Sequence, residues 1–527
     1  MAAEMNPKDS QATLEWSSPE RRFGDKELPL IANEIYIDII TYFDPPKDQS
    51  HSKFRAIAKE RKKVLGNLAL VCRFFHFVSL PLMFEVLASQ RRIDQSSGTL
   101  KEDYIPLLRS VSSGTDPLAS TICSQIRKVY IDVVENPASP ARPYVKTCAA
   151  ALSKMPNVTT LMLSRLLLTG QLLESTSQLS NLTSLNLYHC DISPGILAAD
   201  VLALASSVKL ESLSLMFPYN SYDHEPQALP VGIHMTDLVR LAATPRLTAL
   251  CTNSWEFICC LASAKTIPPL RKLQIDAVYD LAALYKFVCR MSTLQELEMG
   301  EVRGPNAHGA LNELQGWSNV DFKALSLASL PNLRRLYCPP HVAYLLQGPH
   351  NLEFISCSGF LDDLDELRDT GDFLMSADTR LLMEMPSKSM QELLLPLEFV
   401  CSDSDKSKTW YGKMREWFPN LKILSIVIEN QVAPDSFHEL FEGVLDAWGP
   451  QETLTELHFP TLDIYWKTDS NHSWFCSLMS DLKPEKRFPN LCTVSLAAVA
   501  CVGTWYRADD AISWKEGSES AKSPYTH

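Results

Sequence analysis

The hydrophobic positions of this chain fall into a short phrase that returns at intervals of tens of residues: apolar, two residues, apolar, one residue, apolar. Clear copies are Leu182/Leu185/Leu187, Leu210/Leu213/Leu215, Leu270/Leu273/Ile275, Leu294/Leu297/Met299 and Leu421/Leu424/Ile426. Further copies are Val158/Leu161/Leu163, Leu333/Leu336/Cys338, Met390/Leu393/Leu395, Leu454/Leu457/Phe459 and Leu491/Val494/Leu496, with weaker ones at Ile126/Val129/Ile131, Leu247/Leu250 and Leu352/Ile355/Cys357. The last two apolar positions alternate with polar ones, so both point to one face of a short strand, while the first fits the turn that leads into it. A supersecondary phrase repeated in this way predicts a solenoid: stacked strands in a parallel sheet with one buried face, each followed by a segment that returns the chain.

Several returning segments carry helical spacing. Leu281, Leu284, Phe287 and Val288 recur at that spacing before one copy, and Phe437, Leu440, Phe441, Val444 and Leu445 before another. Four copies are preceded by Pro-Asn, at Pro156-Asn157, Pro331-Asn332, Pro419-Asn420 and Pro489-Asn490. Proline stops the helix and asparagine tolerates the turn that follows. These features resemble leucine-rich repeats of the intracellular, helix-returning kind over roughly residues 120–500. The spacing is less regular than in that family, at about 19 to 39 residues against 20–29. The expected fold class is therefore α/β, a leucine-rich-repeat solenoid.

A second pattern occupies residues 25–90. Ile31, Ile35, Ile39 and Phe43 fall four apart, on one face of a helix. A second helix, 65–78, would present Leu68, Val71, Cys72, Phe75 and Val78, and Pro81 would open a short third one with Phe84 and Leu87 on its apolar side. Between the first two lies an insert with the basic run Lys59-Glu60-Arg61-Lys62-Lys63. The ordering, and above all Leu68-x-Leu70-Val71-Cys72-Arg73-x-Phe75 followed by Pro81 and Phe84, resembles the F-box, with Ala32 where that family has a proline. A plain helical cap for the solenoid would not require that phrase.

The resemblance implies a function. F-box proteins are substrate receptors of SCF-type ubiquitin ligases: the module docks on an adaptor subunit held by a cullin scaffold, and the repeats capture a target protein. The adaptor-docking residues carried over are Ile31, Glu34, Ile35, Ile39, Leu68, Val71, Cys72, Phe75, Pro81 and Phe84. The alternative is a leucine-rich-repeat interaction scaffold that never joins a ligase. Either way the expected contribution is proximity, and no enzyme chemistry. The layout that follows is a disordered N-terminus at 1–24, the F-box-like module at 25–90, the solenoid at 91–506 and a disordered tail at 507–527.

Other features narrow the picture. A net charge of −13 without a long basic stripe argues against nucleic acid. No apolar run approaches the roughly 18 residues of a membrane span, and the polar start has no signal-peptide core, so a cytoplasmic or nuclear, membrane-free protein is expected. The fourteen cysteines form no C-x-x-C pair and read as small core hydrophobes, Cys259-Cys260 included. The triplets at Asn157, Asn181 and Asn471 read as chance glycosylation matches. No phosphate loop, nucleophile elbow or zinc-protease motif occurs, His472 lacks partners at metal spacing, and the run Asp362 to Glu366 reads as solvated; neither cofactor nor metal is expected. Seven of ten tryptophans lie beyond residue 400, and Trp410, Tyr411 and Trp466, set among polar residues in long loops, are the candidate target contacts.

Overall fold

The computed structural model describes residues 21–23, 26–28, 35, 61–71, 73–93, 100–102, 104–133, 142–218, 234–302, 325–326, 329–338, 346–347, 351–356, 388–396, 418–427, 451–460, 488–498, 501–507 and 514–516. The expected helix over 31–43 (Ile35 apart), the helical segment at 437–445, Cys72, Asn471, His472, the acidic run at 362–366, and Trp410, Tyr411 and Trp466 lie outside these residues. The chain divides into two compact units, one formed by 1–162 with 178–182 and the last two residues, the other by 163–177 with 183–525.

In the first unit, β1 (Arg21–Phe23) and β2 (Lys26–Leu28) form a small antiparallel pair. Residues 61–69 are helical, and a second helix runs Arg73–Phe84. One residue later begins β3 (Val86–Ile93), which pairs antiparallel with β4 (Leu100–Glu102) and parallel with β5 (Lys128–Val133). The unit also holds helices Ile105–Ser113, Pro117–Gln125 and Arg142–Leu152, the first of which packs against the other two. Pro117 opens its helix where no amide donor is needed, and Asp116 caps it by accepting from the Leu118 amide at 2.9 Å. The buried hydroxyls of Ser89 on β3 and Tyr144 satisfy each other at 2.7 Å. The boundary between the units falls within β6 (Thr160–Ser164).

Two expectations change here. The break expected before Pro81 falls instead at Leu70-Val71, and Pro81 sits inside Arg73–Phe84. A proline removes one backbone bond from a helix without ending it when neighbouring residues stay packed, and Ser79, two residues earlier, is fully buried. Leu87, expected on a third helix, lies in β3 and is buried there: the parallel strands start at Val86.

The second unit holds the main array. β7 (Leu167–Leu168) pairs with β9 (Asp191–Ile192), and β14 (Leu325–Ser326) with β16 (Leu346–Gln347), in separate small parallel ladders. The large parallel sheet runs through β8 (Ser184–Tyr188), β10 (Ser212–Met216), β11 (Ala249–Thr252), β12 (Lys272–Val278), β13 (Glu296–Val302) and β15 (Arg335–Tyr337). It continues through β17 (Phe354–Ser356), β18 (Glu392–Pro396), β19 (Ile423–Val427), β20 (Glu456–Pro460) and β21 (Thr493–Ala498). Antiparallel β22 (Cys501–Arg507) and β23 (Trp514–Glu516) extend it.

Register makes this a repeat sheet and not a chance α/β arrangement. From the copy at Leu185 onward, the middle apolar residue of each phrase opposes its counterpart in the next: Leu185, Leu213, Leu250, Leu273, Leu297, Leu336, Ile355, Leu393, Leu424, Leu457 and Val494 form one continuous row. All are at most 4% exposed. Burying each such side chain stabilises by about 1.5–3 kcal/mol, and a one-residue slip would turn the whole row to solvent. The returning helices bury complementary stripes: Phe257, Ile258 and Leu261 on Trp255–Ala262, and Leu281, Leu284, Phe287 and Val288 on Leu281–Val288. The latter is capped by Asp280, which accepts from the Ala283 amide at 2.9 Å.

The lead-in asparagines do more than permit a turn. Each side-chain amide donates to a backbone carbonyl of the preceding repeat: Asn157 to Ser124 (2.6 Å), Asn181 to Pro156 (2.9 Å), Asn332 to Ser292 (2.6 Å), Asn351 to Pro331 (3.0 Å), Asn420 to Lys388 (2.6 Å) and Asn490 to Glu452 (2.6 Å). Where the slot holds a hydroxyl the bond persists, from Thr293 to Leu270 (2.7 Å), Ser389 to Leu352 (2.8 Å) and Thr453 to Pro419 (3.1 Å). The slot therefore holds a short side-chain donor in nine of the copies, while Lys209, Arg246 and Pro269 occupy it before Leu210, Leu247 and Leu270. Asn420→Ala should lower unfolding free energy by about 1 kcal/mol, the net worth of such a bond, whereas Asn420→Thr should recover part of it; urea denaturation of the full chain measures both.

Candidate functional site

Helix 61–69 closes with two tight bonds, the Leu70 amide to the Asn67 carbonyl at 3.2 Å and the Val71 amide to the Leu68 carbonyl at 3.0 Å. The chain turns there and re-enters a helix at Arg73. Gly66 faces this second helix, where an added Cβ would stand 3.7 Å from Met83 Cε. The two helices are anchored by Leu65, wholly buried, and Phe74, 6% exposed. The turn itself is turned out: Leu70 is 86% exposed and Val71 67%. A large aliphatic pair this exposed contributes little to the fold of the isolated chain, which makes the turn a candidate contact surface.

The docking residues read from the sequence divide accordingly. Val71 is exposed at the turn and Ile35 is 50% exposed, while Leu68, Phe75, Pro81 and Phe84 are half-buried. Ile31, Glu34, Ile39 and Cys72 lie outside the described residues. Sequence reasoning placed Leu70 off the apolar face of a continuous helix and so missed the most exposed member of the turn; the signal lay in the unbroken run Leu68 to Cys72, one apolar residue too many for a helical stripe.

The outward face of the large sheet offers a second candidate surface. Its centre is an alternating ladder of charge. Lys272 Nζ lies 2.7 Å from Glu296 Oε1 and 3.9 Å from Glu298 Oε2, and Gln274 donates to Glu298 at 3.0 Å. Partial burial works against the Lys272 ammonium, but the two carboxylates outweigh it and hold its pKa above the ordinary 10.5. Arg335 stacks 4.8 Å over the Phe354 ring and donates to the Tyr337 hydroxyl at 3.2 Å. These groups answer one another across strands and tie the repeats together.

Further along that face, Ser495, His458 and Glu456 form a hydroxyl–imidazole–carboxylate chain. His458 Nδ1 is bonded to Ser495 Oγ, and Nε2 donates to Glu456 Oε2 at 3.0 Å. The order suits nucleophile activation, but Ser495 and His458 are buried in mid-strand, and β21 is paired on both sides, so its amides are committed to the ladder. With the hydroxyl buried and the β21 amides committed to the ladder, the trio fits a structural network among the described residues. The His458 hydrogen bond holds the Glu456 carboxyl below its ordinary 4.5 against a smaller opposing effect of burial. A lowered folded-state value adds stability above the unfolded pKa that is lost as pH falls. Glu456→Gln should thus be less stable than the parent near neutrality, and the gap should close between about pH 5 and pH 3; thermal melts across that range check it.

The buried cysteines among the described residues are unreactive. Burial pushes the Cys123 thiol up to about 11 and the Cys190 and Cys251 thiols to about 12, which keeps them protonated and inert. Cys259, expected in the core, is exposed: with Phe257, Ile258 and Leu261 facing inward, a residue two positions after Phe257 points away. Asn157 and Asn181, the glycosylation-like triplets, have their amides engaged as staples. Among the described residues no group of acids, histidines and cysteines is placed to hold a metal ion, and no helix is long and apolar enough to cross a membrane.

No protein-family model matches the chain, and no curated protein matches it by sequence. Among solved structures, the chain is similar to the crystal structure of the yeast Rad7 and Elc1 complex, at 12% identity over 72% of this chain and 74% of that one, with a TM-score of 0.27. It is also similar to a protein from Bacteroides fragilis, at 10% identity over 68% and 74%, with a TM-score of 0.25. Neither superposition reaches the level at which one fold can be read from another, so fold and function rest on this chain's own geometry: an α/β repeat array with a large parallel sheet, and an apolar turn exposed on its N-terminal helices.

Proposed function

We propose that this chain is the substrate-recognition subunit of an SCF-type ubiquitin ligase, with the Leu70–Val71 turn docking the adaptor subunit and the repeat sheet and its loops capturing a target protein. The observation that carries the reading is the exposure of Leu70 and Val71 within the Leu-x-Leu-Val-Cys-Arg-x-Phe phrase, directly ahead of a strand array. The helices on either side are anchored by buried residues, so the turn is presented and not merely loose. In this reading the chain performs no chemistry of its own. It holds target lysines at high effective concentration beside the charged conjugating enzyme, within the cytoplasm or nucleus, through the adaptor and the cullin scaffold. Trp410, Tyr411 and Trp466 remain the proposed target contacts.

The test is co-expression of the full chain with the ligase adaptor. The expected result is a stable one-to-one complex on size exclusion, with the cullin joining when added. A chain that stays monomeric beside the adaptor at micromolar concentration would overturn the reading and leave the alternative, a leucine-rich-repeat scaffold outside ubiquitination.

A further inference from the structure

The basic run that precedes the second helix has a use that the docking reading does not require. Arg61 is only 7% exposed, with its guanidinium 3.6 Å from Glu85 Oε2. Lys128, on β5, reaches the other carboxylate oxygen of Glu85 at 3.8 Å. Lys62 donates to the Val86 carbonyl at 3.2 Å and to the Tyr104 hydroxyl at 3.2 Å, with its ammonium 5.2 Å from the centre of the Tyr104 ring. Two consecutive residues of helix 61–69 thus grip the start of β3 and the turn that follows β4.

Two independent features converge on the same joint. Glu85 is the single residue between the helix ending at Phe84 and the strand starting at Val86, and its carbonyl accepts the Arg127 and Lys128 amides at 2.9 and 3.0 Å. A one-residue connection bonded from both sides has no freedom to hinge. Tyr104 adopts φ 60° and ψ 11°, a left-handed conformation that L-residues other than asparagine and aspartate disfavour, and its side chain makes no capping bond to its own helix. Such strain persists where the side chain is needed in place, and here the ring and hydroxyl receive Lys62.

We infer that Arg61, Lys62, Glu85 and Tyr104 form a clamp that fixes the Leu70–Val71 turn to the β3–β5 sheet, so that docking helices and first strands move as one body. The clamp's functional meaning rests on the turn being the adaptor-docking site; its geometry does not. A fixed turn loses little freedom when it binds, and loosening it weakens binding without removing a single contact. Glu85, Lys62 and Tyr104 are accordingly positioning residues.

The experiment is hydrogen exchange on the full chain, alone and with the adaptor, in parallel with adaptor titration. Lys62→Met and Glu85→Gln should speed amide exchange in 61–71 by about tenfold while β10 to β13 stay protected, and should weaken adaptor affinity by about fivefold. Lys62→Arg should restore both. Tyr104→Phe, which keeps the ring and is the mildest change, should fall between. Unchanged exchange in Lys62→Met and in Glu85→Gln overturns the clamp, as does loss of protection spread evenly over all strands. If Val71→Asp leaves adaptor binding intact while Lys62→Met still frees 61–71, the docking reading fails and the clamp stands.

Discussion

Leu424→Asp should leave the chain without a cooperative fold. Leu424 is wholly buried and stands in the apolar row between Leu393 and Leu457. Replacing a buried leucine by a small side chain costs about 2–5 kcal/mol, and an uncompensated carboxyl in the same place adds several more. That exceeds half the stability of an ordinary domain, and the row has no slack, because strands on both sides are locked in register by the same column. Leu213→Asp should behave alike at the other end of the array. Ser212→Asp, one residue away on the outward face, should change stability by less than about 1 kcal/mol, because its side chain stands half-exposed between Ser184 and Ala249. Circular dichroism melts of the three variants decide the matter: a Leu424→Asp chain that melts cooperatively near the parent temperature would refute the repeat assignment.

What the sequence disclosed, and what it hid, follows from which interactions leave a local signature. The L-x-L pairs are legible because period-two alternation needs only the strand itself; every copy whose side chains are described points inward, including weak ones such as Ile126/Val129/Ile131 and Leu247/Leu250. The helix over Leu281–Val288 was legible for the same reason, through its 3.6-residue stripe. The asparagine staples were not. Asn420 and Lys388 lie 32 residues apart, and only the stacked sheet brings the amide to that carbonyl. Leu87 was misread because a single residue, Glu85, separates helix from strand, too short an interval for any punctuation by glycine or proline. Cys259 was misread because a uniformly apolar run hides which side of a helix faces out. At the proposed docking turn, Val71, like Ile35, was legible from the resemblance and is exposed, whereas Leu70 became visible only once the turn was seen. The contacts of Arg61 and Lys62 were hidden because their partners, Glu85, Val86 and Tyr104, lie more than twenty residues further on.

The second large effect is expected at that turn. Leu70→Asp with Val71→Asp should abolish adaptor binding, a loss of at least about 100-fold, or roughly 2.7 kcal/mol, while the melting temperature moves by no more than a degree or two. The asymmetry follows from exposure. At 86% and 67% exposed, these side chains contribute almost nothing to the fold, and carboxylates in their place are solvated at no cost in the free chain. In a complex the same positions would be desolvated, and each charge would meet an apolar surface without a partner. The opposite pair, Leu65→Ala and Phe74→Ala, removes the buried anchors beneath the turn and should lower the melting temperature along with binding. Isothermal titration with purified adaptor, read beside thermal melts, separates the two. Binding lost without loss of stability in the exposed pair assigns the turn to a partner; binding retained there would move the contact elsewhere and return the chain to a repeat scaffold without a ligase.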